Sequence, residues 1–283
     1  MSIATSFTVL GGDRRQTWLV RYLQKQGFHI RTFHVPEFPD TYGSLADCLK
    51  DQKYCILPLP SFHDDYLTQE DGDQPIHIET LISTLAPSAC LFGARFGQQA
   101  IRLEQAGYQT IDYSAMEQMA IANAVPTAEG AIQLLMEALP ITLHNARCLL
   151  IGYGRIGKLL AHRLKALGSY VTVSARKEAD LAMIEAFGYE SDYTGLYHRG
   201  LEQYDCIINT VPARILSKAQ IAQTNSQCLL LELASDPGGF DLSQCKDLGR
   251  AAISGAQLPG KVAPATAGQI IAETILSYLD FNH

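Results

Sequence analysis

Short apolar runs alternate with stretches whose apolar residues recur every three or four positions, almost from one end of the chain to the other. FTVLGG (residues 7–12) reads as a strand, RRQTWLVRYLQKQG as an amphipathic helix, and HIRTFHV as the next strand. YCILPLP, the helix-like HIETLISTLA, CLFGAR, another helix and TIDY continue the series. Such alternation predicts β-α-β units, hence parallel strands with helices on both faces. A long helical pattern then covers residues 114–138, with Pro126 near its middle. Proline suits a first turn and not a helix interior, so a break is expected near Val125, with a fresh helix from Pro126. The alternation begins again with CLLIGYG, RIGKLLAHRLKALG, YVTVSAR, CIINTV and CLLLELA. A final helix, TAGQIIAETILSYL, places Ile271, Ile275, Tyr278 and Leu279 on one face.

The two series resemble each other. Gly11 aligned with Gly152 puts Gly27 on Gly168, and each half reads strand, glycine turn, helix, glycine, strand. Only the second half keeps Gly152, Gly154 and Gly157; its counterparts in the first are Gly11, Asp13 and Gln16. IGYGRIG therefore fits GxGxxG in the context that gives the pattern meaning, after a strand and opening a helix. The first glycine permits the tight turn, the second lets backbone approach a pyrophosphate, and the third lets helix and strand pack closely. The free N–H groups of the helix then face the phosphates. Gly152, Gly154, Arg155, Ile156 and Gly157 are the expected phosphate-binding residues.

A dinucleotide-binding strand of this kind usually ends in an acid that accepts from the ribose 2′-OH. Here YVTVSARK offers Ser174, Ala175, Arg176 and Lys177 instead. Arginine binds phosphate bidentately, so the pair favours NADP over NAD, unless both cations merely sit on a solvated helix start. Thr210, Val211 and Pro212 are expected beside the nicotinamide ribose, and Ala234 and Ser235, with Asp236, near the ring. The fold expected is α/β: two Rossmann-like, doubly wound parallel-sheet domains joined by a long interdomain helix. Residues 1–125 would form one domain, with helix 266–283 returning to pack on it, and residues 126–265 the nucleotide-binding one.

Composition narrows the partners. The 283 residues suit two domains, and 47% hydrophobic with 18% charged residues suits an ordinary core. A net charge of −7 without a Lys/Arg run argues against nucleic acid. No stretch of about 18 apolar residues suggests a membrane span, and no basic leader precedes the first strand, so a cytoplasmic protein is expected. The seven cysteines form no CxxC pair, and several lie in apolar runs, which fits buried thiols in a reducing compartment. No metal site is expected.

LGGDRRQ, NAVPTAEGAI, LASDPGG and above all LPGKVAPATAGQII resemble the dipicolinate synthase A-subunit family, in the same order and over nearly the whole chain. The resemblance implies sporulation chemistry: pyridine-2,6-dicarboxylate made from 4-hydroxytetrahydrodipicolinate by loss of water and hydride removal, with a flavodoxin-like second subunit. In the family pattern a lysine usually follows the proline of VAP; here that position is Ala265, and Lys261 stands four residues earlier.

Such a substrate carries two carboxylates and calls for cations or N–H nests. Gly12, Asp13 and Arg15 follow a strand end, where ligands bind in open α/β sheets. Arg15 matches the family's arginine and is the expected carboxylate partner, the alternative being a surface arginine; Asp13 caps the helix or touches substrate. Asn123 and Thr127 are expected near the substrate, Lys261 is a further candidate, and Gly260, Val262 and Pro264 would form a loop over the nicotinamide, with Pro259 also a cofactor-binding candidate. Glu117, Glu129 and Asp236 are candidate proton acceptors by location only, and His63 and Asp64 follow a strand end. Two rivals stand beside this expectation. A 2-hydroxy-acid dehydrogenase needs a late histidine base, and none occurs between His198 and His283. A non-catalytic NADP-binding regulatory subunit would explain the lack of an obvious acid or base. Self-association is left open.

Overall fold

The computed structural model describes residues 6–70 and 74–281. The ends of the sequence, including His283, lie outside the described residues. The chain folds as two compact units, Met1–Asn123 with Pro259–His283, and Ala124–Leu258.

The first unit contains β1 (Ser6–Leu10), α1 (Arg14–Lys25), β2 (His29–Phe33), α2 (Leu45–Leu49) and β3 (Tyr54–Ile56). A small hairpin, β4 (Phe62–His63) and β5 (Tyr66–Leu67), follows, then α3 (Ile78–Thr84), β6 (Cys90–Gly93), α4 (Gln99–Gln105) and β7 (Gln109–Asp112). Its sheet is parallel throughout, in the order β2-β1-β3-β6-β7. The strand alternation decides which face each residue serves. Phe7 and Val9 join Leu19, Leu23 and Ile271 on one face, while Leu10 joins Phe33, Leu57 and Leu91 on the other. Helices on both faces make the unit doubly wound.

Helix α5 (Glu117–Ala138) runs without interruption through Pro126, so the expected break near Val125 does not occur. A proline inside a helix forfeits one backbone bond and costs about 3 kcal/mol. Ala124, Pro126, Thr127, Ala128, Ala131 and Leu135 are all buried, and that burial offsets the loss.

The second unit contains β8 (Arg147–Ile151), α6 (Arg155–Ala166), β9 (Tyr170–Ala175), α7 (Glu178–Ala186) and β10 (Glu190–Tyr193). Then come β11 (Cys206–Asn209), α8 (Lys218–Gln223), β12 (Leu229–Glu232), α9 (Leu242–Asp247) and β13 (Ala252–Ser254). Its six strands are parallel, in the order β10-β9-β8-β11-β12-β13. This is the doubly wound order in which dinucleotides bind where the connection reverses, between β8 and β11. All seven cysteines are buried free thiols. Burial drives the Cys48, Cys90 and Cys245 thiols up to about 11.

After β13 come α10 (Leu258–Val262) and α11 (Pro264–Phe281). Gly260, Val262 and Pro264, expected as a loop, are therefore helical, the first two in α10 and Pro264 at the start of α11. Within the first unit α11 lies against α1, burying Ile271, Ala272 and Ile275 with Leu19 and Leu23. Gly268 makes the approach possible. A Cβ there would fall 2.4 Å from the Arg15 carbonyl oxygen and 2.8 Å from the Leu19 nitrogen, both backbone atoms that cannot step aside.

Gly268→Val should therefore lower stability by about 3 kcal/mol, the upper end of ordinary overpacking. Thermal unfolding followed by circular dichroism reads it. Gly43→Ala is the control: a Cβ at Gly43 meets nothing within 4 Å, so its midpoint should match wild type.

Candidate functional site

Two strand-end sites emerge, one in each unit. In the second unit Gly152 follows β8 with φ +102°. A Cβ on Gly152 would lie 2.5 Å from Thr210 Oγ1 and 2.8 Å from Val211 Cγ2, so the turn after β8 and the turn after β11 are pressed together. A Cβ on Gly157 would lie 2.2 Å from the Gly152 carbonyl oxygen, leaving glycine alone able to seat α6 against the strand. Gly154 opens α6 as its N-cap, offers no side-chain cap, and has open space on its Cβ side. Arg155 and Ile156 supply the first helical amides. The cradle that a pyrophosphate needs is present: uncapped N–H groups at a helix start, with room for close approach.

Strand β9 ends beside it. Arg176 and Lys177 follow the strand and are exposed. Ser174 and Ala175 are buried. The Ser174 hydroxyl accepts from Thr194 Oγ1 at 3.1 Å, so it does not stand at the exposed strand end. Glu178, the acid that follows, accepts from the Tyr193 hydroxyl. A surface depression on α7 and β10 is lined by Glu178, Glu185, Asp192, His198 and Arg199. Its carboxylates suit it poorly to phosphate. Asp192 is already engaged by the amides of Tyr193, His198 and Arg199, at 2.8, 3.1 and 3.4 Å.

The turns after β11 and β12 are fixed by two residues that no sequence motif singles out. Asn209 Nδ2 donates to Glu232 Oε1 at 2.7 Å and to the Val211 carbonyl at 2.9 Å. Its Oδ1 accepts from the Val211 amide at 3.1 Å. Glu232 also accepts from the amides of Ala234 (2.9 Å) and Gly239 (2.7 Å). One buried carboxylate thus pins Thr210–Pro212 and residues 233–239 together, with Pro212 and Ser235 on the exposed side. The signal lay in CIIN and LLLE: apolar strands that each end in a polar residue, paired in register.

In the first unit the strand connection reverses between β1 and β3. Gly11 and Gly12 follow β1 at φ +56° and +92°. The Gly12 amide donates to the Thr68 carbonyl at 2.8 Å, which braces the turn. Asp13 caps α1 and also grips Arg15. Its Oδ1 accepts from the Arg15 amide and Nε, each at 2.9 Å, and its Oδ2 from Nη2 at 2.7 Å. Burial would raise the Asp13 carboxyl, but the hydrogen bonds and charge of Arg15 outweigh it and hold it below its ordinary value. Arg15 Nη2 also donates to the Leu59 carbonyl, just past β3, so the guanidinium spans the reversal point. Only 5% of Arg15 is exposed, which removes the surface-arginine alternative. Among the described residues its Nη1 has no partner.

Helix α10 covers this arginine. A Cβ on Gly260 would lie 3.0 Å from Arg15 Nε, so the helix packs directly on the guanidinium and is not a loop. Pro259 and Val262 share that helix, and Lys261 is exposed on it. Asn123 and Thr127 lie one turn apart on α5, Thr127 buried. His63 and Asp64 form the exposed tip of the β4–β5 hairpin. Glu129 is exposed and 3.8 Å from Arg163, an ordinary surface pair; Asp236 is exposed in the loop after β12.

A third residue, Gln16, closes the LGGDRRQ stretch and was not among the expected site residues. Gln16 is fully buried, and neither Oε1 nor Nε2 has a partner among the described residues. Each such atom costs about 1–3 kcal/mol. Its sequence signals were its place at the end of LGGDRRQ, opposite Gly157 in the second half, and its position three after the Asp13 cap.

Residues 6–114 match the family model of the N-terminal domain of the dipicolinate synthase A subunit. The A subunit of dipicolinate synthase from Bacillus subtilis (strain 168) is 28% identical over 99% of this chain and 97% of its own. The crystal structure of the dipicolinate synthase A chain from Bacillus subtilis superposes with a TM-score of 0.86 at 27% identity, covering 99% of this chain and 97% of that one. The fold is shared with dehydrogenases. One is the NAD-complexed D-isomer specific 2-hydroxyacid dehydrogenase from Lactobacillus delbrueckii ssp. bulgaricus (12% identity, TM-score 0.55, 98% and 97% covered). The β1 arginine turn, the β8 glycine cradle and the comparisons agree: residues 6–114 match the N-terminal domain of the dipicolinate synthase A subunits, and the chain is similar to those subunits over nearly its full length.

Proposed function

We propose that the chain is the NADP-dependent dehydrogenase subunit of a dipicolinate synthase, forming pyridine-2,6-dicarboxylate from 4-hydroxytetrahydrodipicolinate once water is lost. The observation that carries the nucleotide half is the cradle at Gly152–Gly157, with Arg176 and Lys177 exposed at the end of the neighbouring strand. In this reading residues 126–265 hold the nucleotide, and residues 1–125 with 266–283 take substrate and partner. When bound, NADP+ supplies the acceptor for the hydride. The chain's own residues bind and orient. The amides at the start of α6 take the pyrophosphate, and Arg176 with Lys177 takes the 2′-phosphate that an acid there would repel. Asn209 and Glu232 hold the turns that border the nicotinamide side, so Thr210, Val211, Pro212, Ala234 and Ser235 keep one shape whether or not ligand is present.

On the substrate side Asp13 and Leu59 fix the Arg15 guanidinium, and Nη1 is the donor left for a substrate carboxylate. Lys261, on the helix that covers Arg15, adds a positive charge that no aspartate cancels among the described residues. It supports a role for this lysine where the family pattern has one four residues later. Asn123 and Thr127 belong to the same proposal. The second carboxylate, the dehydration step and the partner's share of the work fall to the second, flavodoxin-like subunit or to residues on this chain not yet assigned.

Arg176→Glu should weaken NADP+ binding about 100-fold, the equivalent of replacing one charged hydrogen bond by repulsion, while NAD+ binding changes by less than about threefold. Titration calorimetry with both nucleotides reads the difference, and equal losses would remove the basis for preferring NADP. The reaction itself is tested by mixing the purified chain with enzymatically generated 4-hydroxytetrahydrodipicolinate and NADP+, with and without the second subunit. NADPH and pyridine-2,6-dicarboxylate should appear in equal amounts. Nucleotide binding with neither product under either condition would leave the chain as a regulatory NADP-binding subunit.

A further inference from the structure

The turn after β1 holds more unsatisfied polarity than a packing turn requires. Gln16 is wholly buried and both of its amide atoms lack partners among the described residues. Its spacing from Asp13 would let it reach back to the cap's own backbone amide, completing a capping box. It does not do so. Its side chain folds toward Gly12 instead: a Cβ on Gly12 would lie 2.5 Å from both Gln16 Cδ and Oε1. Thr68 borders the same turn. Its carbonyl accepts from the Gly12 amide at 2.8 Å and would sit 2.6 Å from a Cβ on Gly11, and its buried Oγ1 also has no partner among the described residues. Buried polar atoms in native proteins are paired as a rule, so three unpaired ones around a single glycine turn call for an explanation.

We propose that Gln16 is a substrate-contacting residue that reads the notch between a ring nitrogen and its neighbouring carboxylate. The inference rests on the reading that Arg15 pairs with a substrate carboxylate. Arg15 and Gln16 are consecutive in the first turn of α1, at the reversal point of the sheet, where ligands of open α/β folds bind. A carboxamide nitrogen carries two N–H donors. A ring nitrogen and the carboxylate oxygen beside it can share one of these N–H groups in a three-centre bond, and the ring nitrogen is the acceptor that a carbocyclic analogue lacks. Arginine alone sees only the carboxylate and cannot distinguish a pyridine dicarboxylate from its carbocyclic analogue. A buried amide can, because a site built to hydrogen-bond one group is left unpaired by the analogue that lacks it.

The test measures binding of two probes to the full-length chain with NADP+ present: pyridine-2,6-dicarboxylate and benzene-1,3-dicarboxylate, which lacks the ring nitrogen. Wild type should prefer the pyridine compound by about tenfold, one hydrogen bond's worth of discrimination. Gln16→Leu should abolish that preference, weakening the pyridine compound about tenfold more than the benzene compound, which loses only its carboxylate contact. The ligand-free variant should melt at or above the wild-type temperature, since a buried unpaired amide has been removed. Gln16→Met, which conserves volume and flexibility, should behave alike and serves if the leucine variant folds poorly. An unchanged ratio in both variants would overturn the proposal and leave Gln16 holding ordered water only. If wild type discriminates nothing and Arg15→Leu changes neither affinity, the carboxylate reading falls as well. If Arg15→Leu weakens both probes while Gln16→Leu alters neither, only the role of Gln16 fails.

Discussion

A side chain at position 157 would collide with the Gly152 carbonyl, and the second unit is organised around that contact. Because α6 sits so close to β8, its first amides emerge directly over the strand end. The same closeness presses Gly152 onto Thr210 and Val211, so the turn after β11 is placed by the turn after β8. Asn209 and Glu232 then carry the constraint one strand further, since a single carboxylate accepts from the loops on both sides. A chain of close contacts, each allowed by a glycine or enforced by a buried hydrogen bond, thus runs across the three central strand ends. These strand ends need no rearrangement to form a cradle of the shape a phosphate fits.

The first unit follows the same plan with opposite electrostatics. At the place of Gly154 stands Asp13, whose carboxylate fills the helix N-terminus that a phosphate would otherwise occupy. An anion cannot use those amides. The positive charge is supplied instead by Arg15, held by that aspartate and by the Leu59 carbonyl, and roofed by α10 at Gly260. Substituting an acid for the second glycine therefore does more than lose a nucleotide motif. It replaces a row of open amides by a fixed guanidinium held by the same acid. Gly268 secures this geometry from the other side, since its contact with the Arg15 carbonyl sets how closely α11 can approach the first turns of α1.

The parallel α/β class, the two sheets and the glycine cradle were legible in the sequence, because each is written in local terms: strand-length apolar runs, helical periodicity, and glycines at fixed spacing. The exposure of Arg176 and Lys177 was equally local, since both follow the last residue of a strand. Pro126 misled, because the cost of a proline in a helix is local while the burial that offsets it along α5 is not. Gly260 and Val262 misled for a similar reason: glycine and proline suggest a loop, yet packing against Arg15 holds them in a helical turn.

What the sequence by itself determined, then, was which backbone segments pair and which turns can approach a phosphate. Tertiary structure alone decided which polar side chains are buried and with whom. Arg15 could have been a solvated first-turn cation, Ser174 a strand-end hydroxyl, and Glu232 one more surface acid. Burial made the first a fixed donor, took the second out of reach, and turned the third into the pin of two loops. The physical reason is that a polar group's role depends on the partners that replace its water, and those partners come from strands and turns far away in the sequence.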